Sequence, residues 1–343
     1  MVPDGSPWTA DSANRAGVER YARAYRYMLQ ARLLDEKLAS LYRAGKIHGG
    51  VFLGRGQEAL SVSIGLSLRR TDVFAPLIRD LAGRLAFGET PLDAARTALG
   101  SALGPMRGRD GNVHRGVPRR GLLPMISHLG AMIAVVNGVL FARRMKGVLD
   151  SVGVASIGDG ATSTGSFHEA LNQAAVERLP LVLVIANNQY AYSTPNERQF
   201  ACAALVDKAP GYGVRGWSVD GTDLAACLHV LGEAVARARG GEGPQLVEAR
   251  LLRLCGHGEH DDASYVDPRL KASPLGRDCL EVARQWLWDK EPGMRERLEQ
   301  WRAEAQQAVE DAVAQAQREA GPDPYKEEWC ALASREVAEP FTH

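Results

Sequence analysis

The hydrophobic pattern of the chain changes character near residue 129. Before it, apolar positions come at helical spacing or in short broken runs. Val18, Tyr21, Tyr25 and Met28 recur at intervals of three and four, with Gly45 following as a stop, which predicts a helix over about Ala13–Ala44. A glycine-punctuated loop, GKIHGGVFLGRGQEAL, leads into a second helix near Gln57–Leu68. Thr71–Gly104 mixes short extended and helical signals. The stretch GPMRGRDGNVHRGVPRRG then forms a polar loop of a length that is uncommon unless it binds something.

From Leu129 the pattern is regular. An apolar helix to about Lys146 precedes SVGVASIG, a fully apolar strand. A helix over about Thr164–Arg178 leads to a second such strand, PLVLVIAN. A helical stretch near Leu205–Tyr212, a strand in RGWSVDG, a helix from an Asp223 cap to Arg239 and a strand in PQLVEARLLR complete the series. Strands apolar on both faces, alternating with helices, predict an α/β fold with a parallel sheet covered on both sides. Beyond Pro274 the chain reads as helical. The expected organisation is an N-terminal helical extension over 1–45, an α/β domain over 46–273 and a C-terminal helical extension over 274–343.

Composition narrows the function classes. The 41 lysines and arginines equal the 41 aspartates and glutamates, so no basic excess points to nucleic acid or an anionic membrane. The longest apolar run, Leu129–Ala142, is too short to span a bilayer, and the polar start MVPDGSPWTADSANRAG lacks the pattern of a signal peptide. Five widely spaced cysteines with no CxxC pair fit reduced thiols and a cytoplasmic setting.

The candidate chemistry sits at strand ends. SIGDG ends one predicted strand and NNQY ends the next, where open parallel sheets bind ligands. Asp159 and Asn188 are 29 positions apart, the span of one βαβ crossover, which sets two oxygen-bearing side chains next to each other. A carboxylate, an amide oxygen and nearby carbonyls suit magnesium or calcium holding a phosphate better than zinc. A dinucleotide fingerprint fails because Ser163 stands where its last glycine belongs, and a P-loop is absent.

The stretch GDGATSTGSFHEALNQAAVERLPLVLVIANNQYAYSTP resembles the thiamine diphosphate motif that opens with GDG and closes with NN. With GRGQEALSVSIGLSLRRTDVF, IRDLAGRLAFG, GRDGNVH and HDDASY, the chain resembles the alpha subunit of the decarboxylating component of 2-oxo acid dehydrogenase complexes over roughly Leu29–Tyr265. The resemblance implies thiamine diphosphate and Mg²⁺ as cofactors, with Asp159, the Asn188 side chain and the Tyr190 carbonyl on the metal. It implies that Gly160 and Ala161 open a helix whose N–H groups face the diphosphate, and that Arg79 pairs with it. Ser127 and Leu129 would lie beside the aminopyrimidine, and His257 would be the catalytic histidine at the cofactor. Asp261 and Tyr265 would hold the His257 loop, with Arg253 as their charge partner. HGEHDD offers too loose a spacing for zinc.

The resemblance further implies oxidative decarboxylation of a small 2-oxo acid, with acyl transfer to a lipoyl group on a partner acyltransferase. A separate beta subunit would complete an α2β2 heterotetramer. An acetoin-cleaving enzyme and a catalytically silent scaffold subunit are the alternatives. Three positions depart from the family pattern: Ile78 replaces a tyrosine, Val266 an arginine, and Gly258 the serine phosphorylated in mitochondrial relatives. Loss of that hydroxyl predicts loss of the kinase switch at this loop. Phe52 stands where pyruvate-specific relatives often carry histidine, which favours an aliphatic substrate chain.

Overall fold

The computed structural model describes residues 10–111, 114–290 and 293–328. Three helices and a short strand come first: α1 (Ala10–Arg43), α2 (Glu58–Ser67), β1 (Val73–Ala75), α3 (Leu81–Phe87), with α4 (Pro91–Leu99) after them. The alternating region holds α5 (Ala131–Met145), β2 (Gly153–Gly158), α6 (Gly165–Val176), β3 (Leu181–Asn187), a two-residue ribbon of β4 (Tyr190–Ala191) and β5 (Thr194–Pro195), β6 (Arg215–Asp220), α7 (Leu224–Arg239) and β7 (Gln245–Arg250). A short α8 (Pro268–Lys271) precedes α9 (Cys279–Lys290) and α10 (Met294–Arg318).

The main sheet is parallel throughout, in the order β1-β2-β3-β7-β6. All seven residues of β3 are buried, as a continuous apolar run on a central strand requires. One face packs on α5 and α6 through Ile133, Phe167 and Leu171. The other packs on α2 and α7 through Ile64, Cys227 and Leu231. A third apolar core joins α1, α9 and α10 to α3 and α4 around Tyr25, Met28, Leu34 and Leu287.

Several local expectations shift. The helical stretch expected at Leu205–Tyr212 is present as a 3₁₀ helix, with Pro210 inside it removing a backbone donor. Gly160 and Ala161 open no α-helix: a 3₁₀ turn spans Asp159–Ser163, and α6 starts at Gly165 behind Thr164, whose hydroxyl accepts from the Phe167 N–H. Leu129 lies outside α5, which begins at Ala131 after Gly130 at its N-cap. Asp223 does cap α7, accepting from the Ala226 N–H at 3.1 Å.

Buried charge ties the helical layer to the sheet. Arg32 of α1 donates to Glu58 of α2 at 2.6 Å and makes two bonds of 2.9 Å to Asp278 just before α9. Glu89, beyond α3, takes two bonds from Arg84 (2.9 and 3.0 Å) and two from Arg115 (2.7 and 2.8 Å). At the far end, residues 319–327 cross the long loop. Glu319 receives Arg96 and the Ser101 hydroxyl, the Ala102 N–H donates to the Ala320 carbonyl at 2.9 Å, and Arg107 and Arg109 converge on Glu327 at 3.1 and 3.2 Å.

Breaking one partner of a buried ion cluster strands the others, at a cost of about 3–5 kcal/mol. Glu89→Gln is therefore expected to lose stability on that scale in urea unfolding, whereas Glu304→Gln, in an exposed pair with Arg26, should lose ~1 kcal/mol or less. Burial alone would raise the Glu89 carboxyl, but the Arg115 and Arg84 charges outweigh it and hold it at about 2. Its contribution should be complete above the ordinary glutamate value of 4.5 and disappear as the pH falls towards 2. An unchanged urea midpoint in Glu89→Gln would show that the cluster carries no such weight.

Candidate functional site

The register of β2 on β3 pairs Gly158 with Ala186, so Asp159 and Asn188 both leave the sheet at the same end of neighbouring strands, Asn188 one residue beyond Asn187. Asp159 is buried, and burial pushes its carboxyl up to about 6 despite hydrogen bonds from Gln199 and from the backbone N–H groups of Asp159 and Gly160. Gln199 Nε2 donates to Asp159 Oδ2 at 2.9 Å. Asn188 donates through Nδ2 to Gln57 Oε1 at 3.1 Å. Gln57 Nε2 and Gln199 Oε1 are buried next to these groups without hydrogen-bond partners among the described residues. A buried carboxylate with no cationic side chain bonded to it, the amide oxygen of Asn188 and the unsatisfied Gln199 Oε1 are the kind of oxygen donors that a hard divalent cation takes. No group of three or more His, Cys, Asp or Glu among the described residues offers a rival metal site.

Gly160 is required by close approach: a β-carbon there would lie 2.6 Å from the Ala191 β-carbon. Its N–H turns to the Asp159 carboxylate. Gly56 serves the same end of the sheet, with φ of +93° and a β-carbon position 2.7 Å from the Leu252 carbonyl oxygen. Its N–H donates to Glu58 at 2.8 Å, while that of Gly54 donates to the buried Asp35 at 2.7 Å.

Beside these strand ends opens a cleft with a cavity volume of about 220 Å³. Phe52, Ser127, Leu129, Ala161 and His257 all line it, together with Ile78, His114 and Gly158. Leu129 is 57% exposed, so its side chain faces the cleft rather than a helix core. Tyr190 is buried with Leu252 and Val266, and its hydroxyl accepts from the Asp267 N–H at 3.1 Å. Arg79 lies behind the cleft wall. It is buried, and its guanidinium donates to the Leu53 carbonyl at 2.9 Å and the His257 carbonyl at 2.6 Å.

His257 has a defined electrostatic state. Burial, then the Arg79 and Arg253 charges, push its imidazole down to about 4, so it is neutral at pH 7. Arg79 Nη2 lies 3.4 Å from its Nδ1, which makes Nδ1 the acceptor and leaves the proton on Nε2. Phe52 meets the ring edge-on at 5.5 Å between centroids, and Tyr192 lies 4.5 Å away. Asp261 holds the loop by accepting from the His257 N–H at 2.6 Å, the Ala263 N–H at 3.0 Å and the Tyr265 hydroxyl at 2.6 Å. Arg253 donates to the Tyr265 hydroxyl and to the Tyr192 carbonyl, so its link to Asp261 runs through Tyr265 rather than through a direct ion pair. Val266 fills an apolar pocket against Tyr190.

The profile of the family described as "Dehydrogenase E1 component" matches residues 25–325. The chain belongs to the dehydrogenase E1 component family. This E1-family chain is 36% identical over 328 residues to the 3-methyl-2-oxobutanoate dehydrogenase subunit alpha of Mycobacterium tuberculosis, covering 90% of this chain and 84% of the relative. It is 34% identical over 301 residues to the alpha subunit of the acetoin:2,6-dichlorophenolindophenol oxidoreductase of Cupriavidus necator, covering 88% and 90%. It is 32% identical over 302 residues to the pyruvate dehydrogenase E1 component subunit alpha of Rhizobium meliloti, covering 88% and 86%.

Four residues of this candidate site are not singled out by the sequence: Gln57, His114, Tyr192 and Gln199. Gln57 and His114 lie inside stretches already singled out, GRGQEAL and GRDGNVH. Tyr192 sits at φ of +54°, a conformation no residue-type pattern announces.

In a titration of the imidazole signals by NMR, His257 should show its midpoint near 4, well below an ordinary histidine. Arg79→Gln should move that midpoint up, because it removes the larger of the two neighbouring positive charges. A wild-type midpoint near 6.5 would overturn the assignment of a neutral, donor-bearing His257.

Proposed function

We propose that the chain is the alpha subunit of a thiamine diphosphate-dependent 2-oxo acid dehydrogenase, the component that removes CO₂ and passes the acyl unit to a lipoyl group on an acyltransferase partner. The observation that carries this reading is Asp159 and Asn188 at the ends of adjacent strands, buried without a bonded cationic partner and next to a cleft. Asp159, the Asn188 side-chain oxygen and the Tyr190 carbonyl would hold Mg²⁺, which in turn holds the diphosphate. When bound, thiamine diphosphate supplies the carbon nucleophile and the electron sink for decarboxylation.

The chain's own residues prepare that chemistry. Arg79 fixes the His257 backbone and orients its ring, so that Nε2 carries a proton available to the cleft. The Asp261–Tyr265–Arg253 relay keeps the loop in place around it. Leu129 and Ile78 give the cleft apolar walls that exclude water from the reacting centre.

A beta subunit is the proposed partner, in an α2β2 assembly. Leu129, Val135, Met145, Leu149 and Val176 are between 43% and 74% exposed, an apolar surface along and around α5 that suits a permanent interface. Among the described residues there is one large sheet, and no second α/β layer that could bring a carboxylate to the other side of the cofactor. The described cysteines are unpaired, which supports a reducing, cytoplasmic setting. No helix among the described residues is long and apolar enough to cross a membrane.

The relatives' substrates differ, so the substrate rests on the site. Phe52 lines the cleft and gives it an apolar face, which would receive an aliphatic acyl chain better than the methyl group of pyruvate.

Two experiments test these assignments. Asp159→Ala should abolish Mg²⁺-dependent cofactor binding in calorimetry while leaving the circular dichroism spectrum unchanged, because the residue belongs to no apolar core; wild-type affinity in that variant would refute the metal site. With the beta subunit co-expressed, CO₂ release should be fastest with branched-chain 2-oxo acids, by roughly tenfold for each methylene-sized fit. A clear preference for pyruvate would refute the aliphatic pocket, and turnover of acetoin alone would move the enzyme to the acetoin class.

A further inference from the structure

The 3₁₀ helix Leu205–Tyr212 bonds to both strand-end segments of the site, and no role above uses it. On one side, Lys208 Nζ donates to the Thr162 carbonyl at 2.8 Å and to the Thr162 hydroxyl at 3.2 Å. Thr162 is buried in the turn that Asp159 opens, and its hydroxyl donates in turn to the Asp159 carbonyl at 2.8 Å. The ammonium is held between two rings, 5.5 Å from the centroid of Phe167 and 5.8 Å from that of Phe200. On the other side, the Val206 N–H donates to Glu248 Oε2 at 2.9 Å. Glu248 is buried on β7, and its Oε1 accepts from Asn187 Nδ2 at 2.7 Å. Asn187 ends β3 and immediately precedes Asn188.

Leu205 and Ala209 seat the helix in the core shared with α5 and α6, so it is a fixed body. Neither Lys208 nor Glu248 lines the cleft. Lys208 reaches the segment of one candidate ligand, and Glu248 joins the helix to the residue beside the other. We propose that Lys208 and Glu248 are positioning residues that, through this helix, fix the spacing of Asp159 and Asn188 for a small octahedral cation. Mg²⁺ requires near-ideal octahedral geometry, whereas Ca²⁺ accepts longer and less regular bonds. A clamp on ligand spacing therefore acts on Mg²⁺ far more than on Ca²⁺. The inference rests on the metal reading above. A staple that only held the helix on the sheet would affect both cations alike.

The test uses the full chain with its partner subunit and thiamine diphosphate, and calorimetry gives the affinities for Mg²⁺ and for Ca²⁺. Replacing a residue that supports a metal ligand changes metal affinity by roughly 10–100-fold. Lys208→Met keeps a long apolar stem between the rings but loses the ammonium. It should weaken Mg²⁺ by about that factor and Ca²⁺ by much less. Lys208→Arg, which restores a cationic donor, should recover most of the Mg²⁺ affinity. Glu248→Gln turns an amide donor towards the Val206 N–H or the Asn187 amide, and should shift the ratio in the same direction. Both residues act through one helix, so the double variant should fall short of the product of the single effects. If thermal melts show that Glu248→Gln has lost the fold, the two Lys208 variants carry the test alone. Equal losses for the two cations, or no loss for either, would overturn the proposal and leave the metal reading intact. A wild-type protein that binds neither cation would overturn the metal reading and this inference with it.

Discussion

The parallel pairing of β2 with β3 is the constraint on which the rest of the site depends. Six paired positions end with Gly158 against Ala186; Asp159 follows at once on β2, and Asn188 follows just beyond Asn187, the last residue of β3. A slip of one residue would turn Asp159 or Asn188 towards a helix face, where a carboxylate has no compensation. The register is secured by burial on both sides, since β3 has no exposed residue and the facing positions on α5, α6, α2 and α7 are apolar. Sheet packing and ligand geometry are thus a single requirement.

Charge buried inside the helical layer performs a related task for the loops. Asp35 and Glu58 do not approach the cleft ligands, yet they take the N–H groups of Gly54 and Gly56 and so fix the chain leading to Gln57, whose amide meets Asn188. Burial raises the Asp35 carboxyl to about 7, a measure of how far this region is removed from water. Arg79 continues the pattern by bonding two backbone carbonyls, one on each side of the cleft wall. Loop positions that would otherwise be mobile are held by groups that cannot leave without exposing an uncompensated charge.

The sheet strands were legible, and the candidate pair Asp159 and Asn188 could be singled out, because both readings rest on local sequence. An apolar run of seven residues has few readings other than a buried strand, and the 29 positions from Asp159 to Asn188 fit one crossover. The three residues of β1 were not legible, because VFA is too short to show a period. Gln199 acts on Asp159 across 40 positions, and His114 on Ser127 across a loop of 13, so only the tertiary fold brings either pair together. The helical stretch read at Leu205–Tyr212 is there with the same bounds, as a 3₁₀ helix in which Pro210 lacks a backbone donor.

The crossing of residues 319–327 over the long loop has a temporal meaning as well as a spatial one. Synthesis delivers β7 and the His257 loop well before it delivers Glu319 and Glu327, so the sheet and its strand ends can assemble on a chain whose loop around residues 101–109 still lacks its fastening. That loop holds Arg107 and Arg109, and the carboxylate on which both converge is made more than 200 residues later. A nascent chain can therefore pair its strands before this loop is tied down, and the end of α10 with the segment after it supplies the tie.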